Sequence, residues 1–198
     1  MNFTIDVIGI GFPKCGTTWV SRMLSEHPEI CMAEAKETFF FIKNEDEFRK
    51  DITGFRRIAS WDMMKNQFVD HNKVKAEFST MYIFDKEALQ AIHHHNPKVK
   101  ILVCLRPPWD FLFSAYQFDK NSNFGHLIEH SFKDYLNNWS KLSLIKKEWA
   151  DYIRYMRDLY EIFSTKQIHL IFVSEIKRNN KIVLGQLWRF LELSNIDF

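Results

Sequence analysis

A lysine, two threonines, an arginine, a serine and a glutamate are the residues of this 198-residue chain best placed to act on an anionic group. The lysine is Lys14, in the stretch GFPKCGTT at residues 11–18, directly after the apolar run FTIDVIGI. Gly11 and Gly16 have the spacing of the two glycines in a Walker A loop, G-x-x-x-x-G-K-[ST]. Lys14 lies between them, however, and Thr17 stands where that loop carries its lysine. A glycine-containing turn between a buried strand and a helix aims several backbone N–H groups at one point. The helix N-terminus adds the positive end of its dipole there. With the charge of Lys14 and the hydroxyls of Thr17 and Thr18, the stretch reads as an oxyanion cradle; a plain tight turn is the other reading of the same residues. A G-x-G-x-x-G pattern is not met, because from Gly9 and Gly11 the third glycine would fall at Lys14, so Rossmann-type dinucleotide binding is not expected.

Two further segments carry groups of the same kind. The run VKILVCL at 99–105 ends in Arg106, and Ser114 follows within LRPPWDFLFSAY. A guanidinium at the carboxyl edge of a sheet stands where ligands bind in open α/β folds, and its fork suits a phosphate. Fewer than two helical turns separate Pro108 from Ser114, so the hydroxyl can face the same groove. Taken alone, Arg106 could equally be half of a surface ion pair. Lys36-Glu37 precedes Phe39-Phe40-Phe41. The phenylalanines read as core, and Glu37 by itself as a carboxylate beside them.

These residues need a frame, and the chain alternates strand and helix patterns. Strands are expected at 3–10, 30–32, 74–78, 99–105 and 168–173. Helices are expected from the loop to His27-Pro28, at 86–95, from Pro108 onward, at 152–163 and at 183–193. In the helix at 152–163, Ile153, Met156, Tyr160 and Phe163 share one predicted face. Residues 43–70 are charged and mixed, and read as short surface helices. The pattern predicts an α/β, three-layer fold of P-loop type, a central mainly parallel sheet flanked by helices, as a single domain over 1–198. The composition agrees: hydrophobic residues make up 46% and aromatics 16%, including 19 Phe, enough for a packed core. A net charge of +2 does not argue for a nucleic-acid partner or a membrane surface. Cys15, Cys31 and Cys104 are odd in number and without metal spacing, which favours a reducing compartment. No apolar stretch approaches the roughly 18 residues of a membrane span, and no signal-peptide pattern is present, so a cytoplasmic location is expected. His93, His94 and His95 are consecutive on a helix and point in different directions, so no metal site is expected there.

At the loop the chain resembles a known family. P-K-x-G-T-T-W, present as Pro13, Lys14, Cys15, Gly16, Thr17, Thr18 and Trp19, is similar to the 5′-phosphosulfate loop of the sulfotransferases, which use 3′-phosphoadenosine 5′-phosphosulfate (PAPS). In that family the lysine belongs two residues before the glycine. Arg106 and Ser114 resemble its second element, which holds the 3′-phosphate. Lys36-Glu37 with the phenylalanines resembles the K-E-x-x-F-F segment of heparan-sulfate-type and bacterial members, in which the glutamate is the catalytic base. The K-T-H segment of cytosolic small-molecule members is not found. Ala76-Glu77-Phe78-Ser79 with Tyr82 is similar to an E-K-[ST]-P-x-Y stretch, with Phe78 and Thr80 in place of its Lys and Pro. IHLIFVSEI and LGQLWRFLEL resemble the later strand-E and F-L-x-L pattern, so the resemblance runs over roughly residues 5–193.

The resemblance implies sulfuryl transfer from PAPS to a hydroxyl or amine of a small-molecule or carbohydrate acceptor, without a metal. Lys14 and Glu37 would be catalytic, and Pro13 to Trp19 with Arg106 and Ser114 would bind the nucleotide. A kinase using ATP·Mg²⁺ is the rival enzyme, but it needs an acidic residue after a buried strand. Asp6 falls inside the first predicted strand, and 99–105 ends in Arg106. A non-catalytic nucleotide binder is the other rival. The sequence stops at Phe198, short of the basic segment that in the family usually closes over the 3′-phosphate and adenine; that segment is lost, replaced by another, or part of a longer polypeptide.

Overall fold

Five short strands make the frame: β1 (Val7–Gly11), β2 (Ile30–Met32), β3 (Val74–Phe78), β4 (Lys100–Leu105) and β5 (Ile168–Phe172). The computed structural model describes residues 3–43, 57–121, 131–138 and 147–196. The sheet runs β2-β3-β1-β4-β5, and every neighbouring pair is parallel, with Val7 opposite both Ala76 and Lys100. The expected mainly parallel sheet is thus parallel throughout. All of β1 and all but the first residue of β4 are buried, as strands covered by helices on both faces must be. The β1–β3 and β1–β4 pairings place the ends of β1, β3 and β4 side by side at one edge of the sheet.

The helices are α1 (Thr17–Glu26), α2 (Trp61–Lys65), α3 (Lys86–His95), α4 (Pro108–Lys120), α5 (Phe132–Asn137), α6 (Tyr152–Ile162), α7 (Val173–Arg178) and α8 (Asn180–Leu191). Their ends follow local chemistry. The Asp85 carboxylate caps α3 by accepting the N–H groups of Glu87 and Ala88, and Asn96-Pro97 stops it. Pro108 opens α4 without losing a bonded N–H. Asn179 caps α8, which starts earlier than expected, and Val173, expected in the last strand, begins the additional helix α7 instead. Part of the 43–70 segment lies outside the described residues; α2 is the helix seen in the rest.

One face was misread. On α6, Ile153 and Tyr160 are 75% and 46% exposed, and the buried stripe is Leu159 and Phe163 with Tyr152, Tyr155 and Met156 packed against the core. Apolar and aromatic residues occur on both sides of this helix. The choice falls to the tyrosines, because Tyr152 meets Phe12 at 4.5 Å between ring centroids and Tyr155 meets Phe84 at 4.8 Å. Among the described residues no helix is long and apolar enough to cross a membrane.

Candidate active site

The loop after β1 is tied to the neighbouring strand where the Phe12 N–H donates to the Cys104 carbonyl at 2.9 Å. The chain then turns through two left-handed residues, Lys14 (φ 61°) and Gly16 (φ 81°). Glycine suits the second on two counts. A side chain there is strained at that φ, and its Cβ would stand 3.1 Å from a Val173 methyl. No side chain caps α1, and its first turn holds no acidic residue. Its first N–H groups and positive dipole end are therefore left to serve an anion.

Pro13, Lys14, Gly16, Thr17, Thr18, Lys36, Glu37, Thr80, Arg106, Ser114 and Phe118 line one cleft of about 450 Å³. Eight of these were expected from the sequence; Lys36, Thr80 and Phe118 were not assigned a place. Arg106 arrives just beyond β4 and Ser114 from α4, both half-buried. Cys15 and Trp19, also expected at the nucleotide site, do not line the cleft. The Cys15 side chain is fully buried with its Sγ 3.6 Å from the Tyr152 hydroxyl, and burial pushes its thiol up to about 11, so it packs rather than reacts. Trp19 is half-buried against the core.

Two of the cations that line the cleft, Lys14 and Arg106, repel each other. Burial lowers the Lys14 pKa first, the charge of Arg106 lowers it further, and the buried Asp119 pulls the other way. The Lys14 ammonium rests over the Phe118 ring, 3.8 Å from its centroid. Such a cation–π contact is worth about 0.5–2 kcal/mol. A charge-assisted hydrogen bond to an anion contributes about 1.5–3 kcal/mol and also relieves the repulsion from Arg106. An incoming anion therefore outcompetes the ring.

Glu37 faces the same cleft from the segment after β2. It is left-handed (φ 67°), as is Phe39 (φ 50°), and its N–H donates to the Phe78 carbonyl at 2.9 Å. Its Oε2 accepts from the Thr80 N–H at 2.7 Å and the Thr80 hydroxyl at 3.1 Å, while Lys36 Nζ stands 2.7 Å from Oε1. The side chain is 24% exposed. Thr80 occupies the position where the resembling E-K-[ST]-P stretch has a proline, which has no N–H to offer. That departure was the one sequence signal for Thr80. Phe39 and Phe41 are buried, as expected, and Phe40 packs at 4.4 Å on Trp61.

The search for an acid after a buried strand needs one correction. Glu77 is the penultimate residue of β3, beside β1, and is wholly buried. It does not line the cleft, and its Oε2 is engaged by Thr38 and Ser79. Asp6 precedes β1 rather than lying within it, and it binds the Lys75 N–H at 2.9 Å. Among the described residues no group of three or more His, Cys, Asp or Glu is placed to hold a metal. Of the three histidines, His93 packs on Phe163 and His95 accepts the Ile5 N–H at 3.1 Å through Nε2.

The chain is 23% identical over 240 aligned residues to carbohydrate sulfotransferase 15 of Mus musculus, covering 93% of this chain and 43% of that protein. It is 27% identical over 107 residues to the mouse heparan sulfate glucosamine 3-O-sulfotransferase 5, covering 54% of this chain and 28% of that protein. The chain thus spans less than half the length of these curated relatives. In fold it is similar to a sulfotransferase from Alicyclobacillus acidocaldarius, with a TM-score of 0.78 at 24% identity over 100% of this chain and 84% of that one. It is similar as well to mouse sulfotransferase SULT7A1 complexed with PAP, with a TM-score of 0.64 at 15% identity, over 97% and 60% of the two chains. Residues 4–197 match the family described as the sulfotransferase domain, and with that match over nearly the whole chain, this protein belongs to the sulfotransferase family.

Proposed function

We propose that this chain transfers a sulfuryl group from PAPS to an acceptor hydroxyl or amine, with Glu37 as the base. The observation that carries the reading is the cleft in which Lys14, Thr17, Thr18, Glu37, Arg106 and Ser114, from three separate stretches of chain, face one volume. Its donors suit a ligand with anionic groups: two cations, three hydroxyls and an uncapped helix N-terminus. Thr17, Thr18 and the loop N–H groups hold the 5′-phosphate oxygens, and Arg106 with Ser114 hold the 3′-phosphate. Glu37 takes the acceptor proton as the acceptor atom bonds to sulfur and the bond from sulfur to the phosphate oxygen breaks. Lys14 stabilises the charge that collects on that leaving oxygen.

Glu37 must release one partner to receive the acceptor. Lys36 is the cheapest to displace: its side chain is 32% exposed, and exposed ion pairs contribute about 0–1 kcal/mol. The Thr80 contacts, one of them a backbone bond, stay in place and hold the carboxylate. The relatives' names point to carbohydrate acceptors, so desulfated heparan chains and other carbohydrates lead the acceptor panel, followed by simple alcohols, phenols and amines.

Two measurements test the reading. Adenosine 3′,5′-bisphosphate without Mg²⁺ is expected to raise the melting temperature, since ligand at a hundred times its Kd adds about 2.7 kcal/mol. A preference for ATP·Mg²⁺ would overturn the assignment in favour of a kinase. Labelled sulfate is then expected to pass from PAPS to a member of the panel, whereas nucleotide binding without any transfer points to a binding protein on this fold.

A further inference from the structure

Beneath the segment that carries Glu37 lies a carboxyl group that the proposed chemistry does not use. Glu77 is wholly buried, and its Oε2 accepts hydrogen bonds from the Thr38 hydroxyl at 3.2 Å and the Ser79 hydroxyl at 3.0 Å. Because those two hydroxyls point their hydrogens at Glu77, their oxygens are free to accept. Ser79 Oγ takes the Phe39 N–H at 3.1 Å, and Thr38 Oγ1 takes the Phe40 N–H at 3.4 Å. Tyr82, whose hydroxyl lies 3.2 Å from Thr38 Oγ1, takes the Phe41 N–H at 3.4 Å. Three consecutive amides thus end on one hydroxyl cluster, and an acceptor at Glu77 sets the direction of its hydrogens.

The segment needs such support. Non-glycine residues held in the left-handed region cost on the order of 1–3 kcal/mol each, and Glu37 and Phe39 are both held there. Stability alone does not account for the carboxyl, since a well-packed apolar side chain of similar volume commonly stabilises a core as well or better. We propose that Glu77 is a positioning residue for Glu37: through Thr38, Ser79 and Tyr82 it keeps residues 37–41 in the turn that presents the Glu37 carboxylate to the cleft. The inference rests on the reading of Glu37 as the base. Burial, foremost, raises the Glu77 carboxyl to about 7, with the charge of Glu37 adding to the rise and the neighbouring hydroxyls opposing it. Glu77 can therefore serve the cluster near neutrality without a full second negative charge beside Glu37.

The test compares Glu77→Leu, which removes the acceptor, with Glu77→Gln, which keeps one, and with Thr38→Val, which removes the hydroxyl. Hydrogen exchange at the Phe39, Phe40 and Phe41 amides is expected to accelerate by about tenfold or more in the Leu and Val variants. Turnover with PAPS and the acceptor found in the panel is expected to fall by about tenfold or more, with KM for PAPS within about twofold. Glu77→Gln is expected to restore both. A folded Glu77→Leu protein with wild-type exchange at these amides, or with wild-type turnover, overturns the proposal; if that variant does not fold, the same two readouts on Thr38→Val decide it. If the wild type transfers sulfate to no acceptor, the base reading fails, and amide exchange still decides whether Glu77 holds the segment.

Discussion

At the scale of single residues, the proposed transfer divides its work between Lys14 on the leaving side and Glu37 on the attacking side. Lys14→Ala is expected to lower transfer by about a hundredfold or more, the size of effect seen when one preorganised donor to a developing anion is lost. It should also weaken stabilisation by adenosine 3′,5′-bisphosphate, because Lys14 lies in the cleft where the 5′-phosphate is assigned. Glu37→Gln separates the two functions. The melting shift with the bisphosphate should be retained, while turnover falls by about 10²–10⁴-fold. Full turnover in that variant would remove Glu37 from the base role. Thr80→Val probes the support of the base, deleting the 3.1 Å hydroxyl contact to Oε2 and keeping the 2.7 Å backbone one. A loss of roughly threefold to tenfold in turnover is expected, smaller than for Glu37→Gln, because the Thr80 backbone contact remains.

At the scale of elements, the join between β1 and β3 sets the height at which the loop and the base segment meet. Phe78 is wholly buried, and a Cβ on Gly9, its partner across the strands, would lie 2.3 Å from the Phe78 ring. The bare glycine is what lets an aromatic ring occupy the position where the resembling stretch carries lysine. Gly9→Ala is expected to destabilise the fold by about 1–3 kcal/mol or more in urea unfolding, the usual cost of overpacking a filled core. Adding Phe78→Leu should recover part of that loss, since the two residues are in contact and their effects are not additive. Unchanged stability in Gly9→Ala would mean that the ring moves aside freely.

At the scale of the whole molecule, a buried carboxyl and a half-buried imidazole change stability with pH in opposite directions. The Glu77 carboxyl, raised from 4.5 to about 7, binds its proton more tightly folded than unfolded. Between those values the unfolded chain holds fewer protons, so stability falls as pH rises through the window, by on the order of 3 kcal/mol in total. His95 works the other way. Burial lowers its pKa, and in the fold its Nε2 must stay unprotonated to accept the Ile5 N–H. Its contribution is present above the ordinary imidazole range and is lost as pH falls, because the unfolded chain then takes up the proton first. The two slopes therefore oppose each other on the acid side of neutrality, and the Glu77 slope acts alone between the ordinary imidazole value and about pH 7. Glu77→Gln should remove the decline that Glu77 contributes between about pH 4.5 and 7, and His95→Asn the loss towards low pH; an unaltered slope across the first window in Glu77→Gln would remove Glu77 as its cause.

The elements and eight of the eleven cleft residues were legible in the chain itself. Val74–Phe78 and Lys86–His95 stand where strand and helix periodicity put them, and Gly11 to Thr18, Arg106 and Ser114 were marked by spacing within short stretches. Such signals are local: a turn, a cap or a strand end is written in neighbouring residues. The order β2-β3-β1-β4-β5, the exposure of Ile153 and Tyr160, and the contacts that complete the site were not written there. Thr80 reaches Glu37 across 43 positions of sequence, and Glu77 reaches Thr38 across 39. The amino-acid sequence by itself determined which groups could bind an anion. Only the tertiary structure decided which neighbours hold Glu37, because those neighbours meet through the parallel pairing of strands distant in the chain.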